Sequence, residues 1–290
     1  MEIIHTVAWM KQVADEARRN DRILGLVPTM GALHEGHLSL VRAAQKQCSP
    51  VVVSIFVNPK QFGPAEDFQK YPRTFEADRA ALEKLGVDYV FAPPPEEIYP
   101  PGFRTAVVVD GLGYTLEGRS RPGHFRGVTT VVLKLFEIVQ PRFAYFGRKD
   151  AQQLRIIRQM TGDLNLGAEI VVCPIVREPD GLAMSSRNAY LKESDRRAAT
   201  ALYRSLDAVR REIASGERSA TRLIAALRRV LDAEPAVALD YAEIVDADTL
   251  EPVLALRKTC YVLLAARVGG THLIDNALIE QLGDSFTVRL

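Results

Sequence analysis

The chain has 290 residues, 47% of them hydrophobic, enough to bury a sizeable core in one large or two ordinary domains. Its 37 basic and 36 acidic residues are interspersed and leave a net charge of +1, which excludes a general electrostatic attraction to nucleic acid or to an anionic membrane. Three widely spaced cysteines (Cys48, Cys173, Cys260) suit neither a disulfide framework nor a zinc ligand set, and no apolar run reaches membrane-spanning length, so a cytoplasmic protein without a signal peptide is expected.

In chain order, short apolar runs at 23–27, 51–57, 89–92, 143–146 and 170–172 predict strands, and helical spacing at 38–47, 75–85, 129–139 and 152–161 predicts helices between them. That alternation implies an α/β domain built on a parallel sheet with helices on both faces. The proline clusters at 93–95 and 100–101 punctuate an excursion before residues 104–109, an additional strand candidate. After Val176 the pattern changes. Residues 193–214 and 219–233 predict arginine-rich amphipathic helices, 241–245, 260–266 and 273–276 predict strands, and Gly269-Gly270 predicts a two-residue hairpin. The domains are therefore expected at 1–175 and 176–290, the second a smaller α+β unit with an antiparallel sheet.

Three segments carry phosphate chemistry. Thr29-Met30-Gly31-Ala32-Leu33-His34-Glu35-Gly36-His37 passes from a strand to a helix, where unpaired N–H groups attract anions and two imidazoles can donate to phosphoryl oxygens. The zinc-protease pattern needs histidines four apart, but position 38 is leucine, and a purely structural role at a helix start is the plain alternative. Gly147-Arg148-Lys149-Asp150 repeats the strand-to-helix geometry, with Lys149 a mobile charge, or else a solvated loop. In Asp180-Gly181-Leu182-Ala183-Met184-Ser185-Ser186-Arg187-Asn188 two hydroxyls stand beside a guanidinium suited to polyphosphate, the alternative being a helix cap. A loop there can also close over a ligand. Two further segments suit a small acid. Asn58 and Gln61 follow the second strand and can offer neutral donors, unless Asn58 is simple turn chemistry, and the basic loop of residues 119–127, with Arg121, can hold a carboxylate or phosphate or be surface charge.

These runs, together with Phe56-Val57-Asn58-Pro59, Gln61-Phe62-Gly63, Tyr71-Pro72-Arg73-Thr74, Arg121-Pro122-Gly123-His124-Phe125 and Gln152-Gln153, resemble the pantoate beta-alanine ligases over nearly the whole chain. The wider His-x-x-His nucleotidylyltransferase superfamily shares only the histidine pair. The resemblance implies a Rossmann-like first domain and ATP-dependent condensation of (R)-pantoate with beta-alanine through a pantoyl adenylate, releasing pyrophosphate and AMP. It assigns ATP to Met30, Gly31, Ala32, Leu33, His34, Glu35, Gly36, His37, Gly147, Arg148, Lys149, Asp150, Val176, Met184, Ser185, Ser186 and Arg187. Catalysis falls to His34, His37, Lys149, Ser185, Ser186 and Arg187, with His37 as proton donor on the leaving side. Gln61 and Gln153 match the family's pantoate glutamines, and Asn58 and Arg121 join them as substrate candidates. Mg²⁺ is expected with ATP, with Asp78 as a candidate ligand, and a homodimer without nucleic-acid or membrane partners is implied. Three residues depart from the family pattern: Lys60 stands where an apolar residue is usual, Ala151 replaces an aromatic, and Arg148 adds charge, so altered affinities with retained activity are expected. The rival classes are a nucleotidylyltransferase acting on a phosphate acceptor and a nucleic-acid binder, the latter disfavoured by the missing basic stripe.

Overall fold

The computed structural model describes every residue except Ala65 and Asp284. The chain divides into two compact units, Met1–Arg148 with Ile156–Pro174, and Lys149–Arg155 with Ile175–Leu290.

The first unit is a six-stranded parallel sheet in the order β1-β4-β3-β2-β5-β6. Its strands are β1 (Glu2–Ile4), β2 (Gly25–Thr29), β3 (Val51–Ile55), β4 (Tyr89–Phe91), β5 (Phe143–Gly147) and β6 (Glu169–Cys173). Val27, Val51, Val53, Val90 and Tyr145 pack with α2 (Glu35–Gln45) and α3 (Phe75–Lys84). Their neighbours Leu26, Val52 and Ala144 are equally buried, and strand alternation directs them to the opposite face. The other helices of this unit are α1 (Val7–Arg19), the one-turn α4 (Pro95–Ile98) and α5 (Glu117–Ser120), and α6 (His124–Val139). α1 starts where the Thr6 hydroxyl accepts from the Trp9 N–H, and buries Met10, Val13, Ala14 and Ala17 at helical spacing. From β2 the chain winds outwards through β3 and β4 on one side and through β5 and β6 on the other, so β2 and β5 flank the switch point. Ligands of open α/β sheets bind beyond the strand ends at that crevice.

Two expectations change here. The helix α1 and the edge strand β1 are additional to the predicted elements. Residues 104–109 form no strand. The Val107 N–H donates to the Thr130 hydroxyl and its carbonyl accepts from the Thr129 hydroxyl, so side chains of α6 satisfy backbone groups that a ladder partner would otherwise take.

In the second unit, α7 (Ala151–Asp163) begins and then runs on into the first. An antiparallel sheet in the order β10-β9-β8-β7 follows, made of β7 (Val237–Asp246), β8 (Cys260–Val268), β9 (Thr271–Leu282) and β10 (Ser285–Arg289). The hairpin between β8 and β9 turns on Gly269 and Gly270 with φ of +56° and +82°, the positive values a two-residue turn needs. α8 (Glu193–Ala214) and α9 (Ala220–Asp232) bury Leu202, Leu206, Val209, Leu223 and Leu227 in one core with Val262, Leu264 and Ala266 of β8. None of the helices among the described residues is long and apolar enough to cross a membrane.

Candidate active site

The turn after β2 is held by one buried carboxylate. Gly31 and Ala32 take φ of +78° and +49°; the Gly31 N–H donates to the Thr29 hydroxyl at 3.2 Å, and the N–H groups of Ala32 and Leu33 face α3. There Asp78, only 3% exposed, accepts from the Ala32 N–H at 2.9 Å and the Leu33 N–H at 2.8 Å, with the Thr74 hydroxyl at 3.2 Å. This corrects the metal-ligand expectation for Asp78, whose two oxygens are engaged by the turn. Among the described residues no group of three or more His, Cys, Asp and Glu can hold a metal ion.

Beyond the turn, His34 caps α2. Its Nδ1 accepts from the Gly36 N–H at 3.2 Å, and the Nδ1 of His37 accepts from the His34 N–H at 3.3 Å, a reciprocal capping box made by two imidazoles. The rings are 4.1 Å apart between centroids and half-buried. A nitrogen that accepts carries no proton, so the hydrogen bonds assign both rings the tautomer with the proton on Nε2. The structural and chemical readings of this pair therefore coexist. One nitrogen of each ring caps the helix, and the other is an N–H donor at its positive end.

After β5, residues 148–150 make a single 3-10 turn. Lys149 is one-fifth exposed with its ammonium 3.5 Å from the Asp150 carboxylate, whereas Arg148 is buried. Gln153, on the first turn of α7, is half-buried. At the start of the second unit's main segment, residues 176–184 fold into a small hairpin. The Val176 carbonyl accepts from the Met184 N–H, the Glu178 N–H and carbonyl bond Leu182 and Gly181, and Gly181 turns with φ of +91°. The hairpin delivers Ser185, whose hydroxyl caps the 3-10 helix Ser186–Tyr190 by accepting from the Arg187 N–H at 3.3 Å. Met184, Ser185, Ser186 and Arg187 are all half-buried.

The loop after β3 is built around Asn58, which is 1% exposed. Its amide donates to Gln61 Oε1 and to the Gly127 carbonyl, both at 3.0 Å, and its Oδ1 accepts from the Tyr99 hydroxyl at 2.8 Å and the Lys60 N–H at 3.3 Å. Both donors are spent, so the expectation that Asn58 binds a substrate is corrected: it shapes the loop that presents Gln61. Gln61 Nε2 donates to the Met30 sulfur at 3.1 Å, which links this loop to the turn before His34. Lys60 fills its usually apolar position by laying its ammonium against the rings of Tyr99 and Phe103, 5.0 and 5.2 Å from their centroids.

Arg121 also turns inwards. Its guanidinium grips Glu66 at 2.9 and 2.7 Å, reaches Glu117 at 3.9 Å and donates to the Gln61 carbonyl at 3.4 Å. Its fork is taken by an internal carboxylate, so a direct hold on a substrate acid is replaced by support of the Gln61 loop. His124 completes that support, with Nδ1 donating to the Gln61 carbonyl at 2.8 Å and Nε2 accepting from Arg121 at 3.2 Å. Burial, reinforced by the adjacent Arg121 charge, pushes the His124 pKa down to about 4. Burial pushes the Glu66 carboxyl up, but the hydrogen bonds and charge of Arg121 outweigh it and hold the group below the usual range. A Cβ at Gly127 would overlap the Lys60 carbonyl, so the loop docks against bare backbone of α6. The sequence reading missed Asp78 as the holder of the turn and His124 as a support. The second lay in the quoted Arg-Pro-Gly-His-Phe run, and the first had no local signal.

A doubly wound α/β unit that sets two imidazole donors at a helix N-terminus on its switch-point edge defines a nucleotide-binding protein of the phosphate-handling kind. The pantoate-beta-alanine ligase family model matches residues 2–278, and the chain belongs to that family. It is 55% identical to a pantothenate synthetase of Thermotoga neapolitana, over 96% of this chain and all of the relative. A solved pantothenate synthetase of Thermus thermophilus superposes with a TM-score of 0.91 at 46% identity, covering 95% of this chain and 98% of that one. The pantoate-beta-alanine ligase of Francisella tularensis, solved with beta-gamma ATP and beta-alanine, gives a TM-score of 0.78 at 35% identity over 95% and 97% of the two chains.

Proposed function

We propose that the protein condenses (R)-pantoate with beta-alanine, consuming ATP and releasing AMP and pyrophosphate. Family membership and the twin Nε2–H donors of His34 and His37 at the start of α2 support this reading, and the donors carry the mechanism. In the first step a pantoate carboxylate oxygen bonds to the α-phosphorus while the bond to the β-phosphate oxygen breaks. No protein nucleophile is needed, so the residues position two anions and stabilise charge. Lys149, Ser185, Ser186 and Arg187 hold the phosphates, and His34 and His37 donate hydrogen bonds to the leaving side. The tautomer sharpens the role of His37. Giving up its Nε2 proton would leave an imidazolate, so it acts as a hydrogen-bond donor to developing charge in place of the expected proton donor.

Gln61 and Gln153 contact pantoate in this reading, with Asn58, Arg121 and His124 supporting the first of them. In the second step the neutral amine of beta-alanine attacks the activated carbonyl, a C–N bond forms, the bond to the phosphate oxygen breaks and the amine loses a proton as AMP leaves. Mg²⁺ enters as the ATP complex, since the donor set here is cationic and hydroxylic and suits a metal-bound triphosphate better than a resident ion. A homodimer is proposed on family resemblance, and a cytoplasmic location accords with three buried free thiols. One assay tests the whole: with ATP and Mg²⁺, sustained AMP release is expected only when pantoate and beta-alanine are both supplied. Turnover that ignores either acid would refute the ligase reading.

A further inference from the structure

Lys149 directly follows Arg148 of the first unit but belongs to the second, and a strand of that same second unit holds its backbone. Asn276 of β9, 1% exposed, donates from Nδ2 to the Lys149 carbonyl at 2.7 Å. The residue before it, Asp275, is 2% exposed and grips Arg177 through both oxygens at 2.7 and 3.0 Å. Successive strand residues project to opposite faces, so one dipeptide of β9 serves two segments.

Arg177 carries the second connection onward. Its guanidinium also donates to the Gly181 carbonyl at 3.0 Å and the Asn276 carbonyl at 3.4 Å, and lies 5.0 Å from the centroid of the Tyr203 ring. A Cβ at Gly181 would overlap that ring, so the hairpin turn is clamped between Arg177 and Tyr203. Beyond it, Asn188 donates to Glu178 at 2.8 Å and to the Ala183 carbonyl at 3.1 Å, while Arg196 bridges Glu178 and Asp180. Residues 184–187 are thereby fastened at both ends to a hairpin that hangs on Asp275. A buried ion pair adds little stability over apolar side chains of the same volume, and its best-attested use is to specify one arrangement among several.

We propose that Asp275 and Asn276 are positioning residues that lock Lys149 and the Ser185-Ser186-Arg187 segment into one geometry, so that both grip the same triphosphate. The inference rests on the reading that these side chains hold the ATP phosphates. Misplacing a reacting group by 1 Å can cost on the order of 100-fold in rate.

The test uses the full chain carrying Asn276→Ala, the isosteric Asn276→Asp, or Arg177→Lys, which keeps the charge and loses the fork. Pantoate-dependent exchange of pyrophosphate into ATP should slow 10- to 100-fold. Calorimetric affinities for Mg·ATP and pyrophosphate should weaken together, while those for AMP and pantoate stay within twofold. In the Lys149→Ala background, adding Asn276→Ala should weaken the calorimetric affinity for Mg·ATP no further. A merely structural role would weaken all four ligands alike or leave all unchanged, and either result overturns the proposal, as does full additivity in the double variant. If Lys149→Ala alone exchanges at the wild-type rate, the phosphate reading itself is at fault. If it is inactive and the Asn276 and Arg177 variants are normal, the coupling alone is wrong.

Discussion

His34 does two jobs with two nitrogens, and substitution can separate them. Asparagine reproduces an N-cap acceptor near the position of Nδ1 but has nothing in place of Nε2–H. His34→Asn should therefore keep its unfolding midpoint close to the wild type while pantoate-dependent exchange falls about 100-fold or more, the range of a lost transition-state donor. His34→Ala should lose the same activity and, in addition, about 1 kcal/mol of stability with the cap. Equal thermal midpoints for the two variants would show that the imidazole does not cap. His37→Ala and Lys149→Ala should likewise abolish adenylate formation in folded protein, read by exchange and circular dichroism, and wild-type exchange in either would remove the role given to it. At this scale the sequence was informative where backbone geometry and chemistry coincide. Gly31, His34 and His37 announce a turn and a helix start. Asp78 lay 46 positions beyond Ala32 and only folding shows that it binds that turn.

Whole elements explain why Asn58 and Arg121 read as substrate ligands from sequence and turn inwards in the structure. Both support the loop of residues 58–62 against the N-terminal end of α6, a long-range docking that local pattern does not encode. Gly127→Ala should push that loop away from α6 and raise the KM for pantoate several-fold with little change in the affinity for AMP. An unchanged pantoate KM would dissociate the docking from substrate binding. Asp78→Asn should leave an orphaned backbone N–H at the turn, cost about 1–3 kcal/mol and raise the KM for ATP. The dependence of rate on Mg²⁺ concentration should not move, and a shift there would restore Asp78 as a ligand. The sheet itself was legible because apolar runs and helical spacing alternate. Residues 104–109 were misread because Thr129 and Thr130 can take the place of a strand partner without leaving a mark on the run they satisfy.

Across the molecule, acid sensitivity should trace to His124. Its pKa of about 4 lies below the ordinary 6.5, so between those values the unfolded chain binds a proton that the folded chain refuses. Its contribution is complete above pH 6.5 and is lost as pH falls towards 4, and the lowered Glu66 extends the loss to more acid conditions. Urea unfolding at pH 6.5 and pH 5 should show a decline in wild type that exceeds that of His124→Asn by about 2 kcal/mol. Asparagine can keep the donor to the Gln61 carbonyl and does not titrate, so identical declines would show that His124 is not the group responsible. On the same scale, sedimentation should report twice the 32.1 kDa chain mass if the proposed homodimer forms.

The assignment of Lys149–Arg155 to the second unit bears on how enzymes of this architecture can be recombined. The chain passes between its units three times, so a chimera joined at a single crossover near residue 175 would graft a new β9 onto an old Lys149 and risk mismatching the Asn276 amide with the carbonyl it holds. Parents that each work would then yield a folded offspring with a poorly aimed lysine. Moving residues 149–155 together with 175–290 keeps the partners in one inheritance, which makes the heritable module discontinuous in sequence.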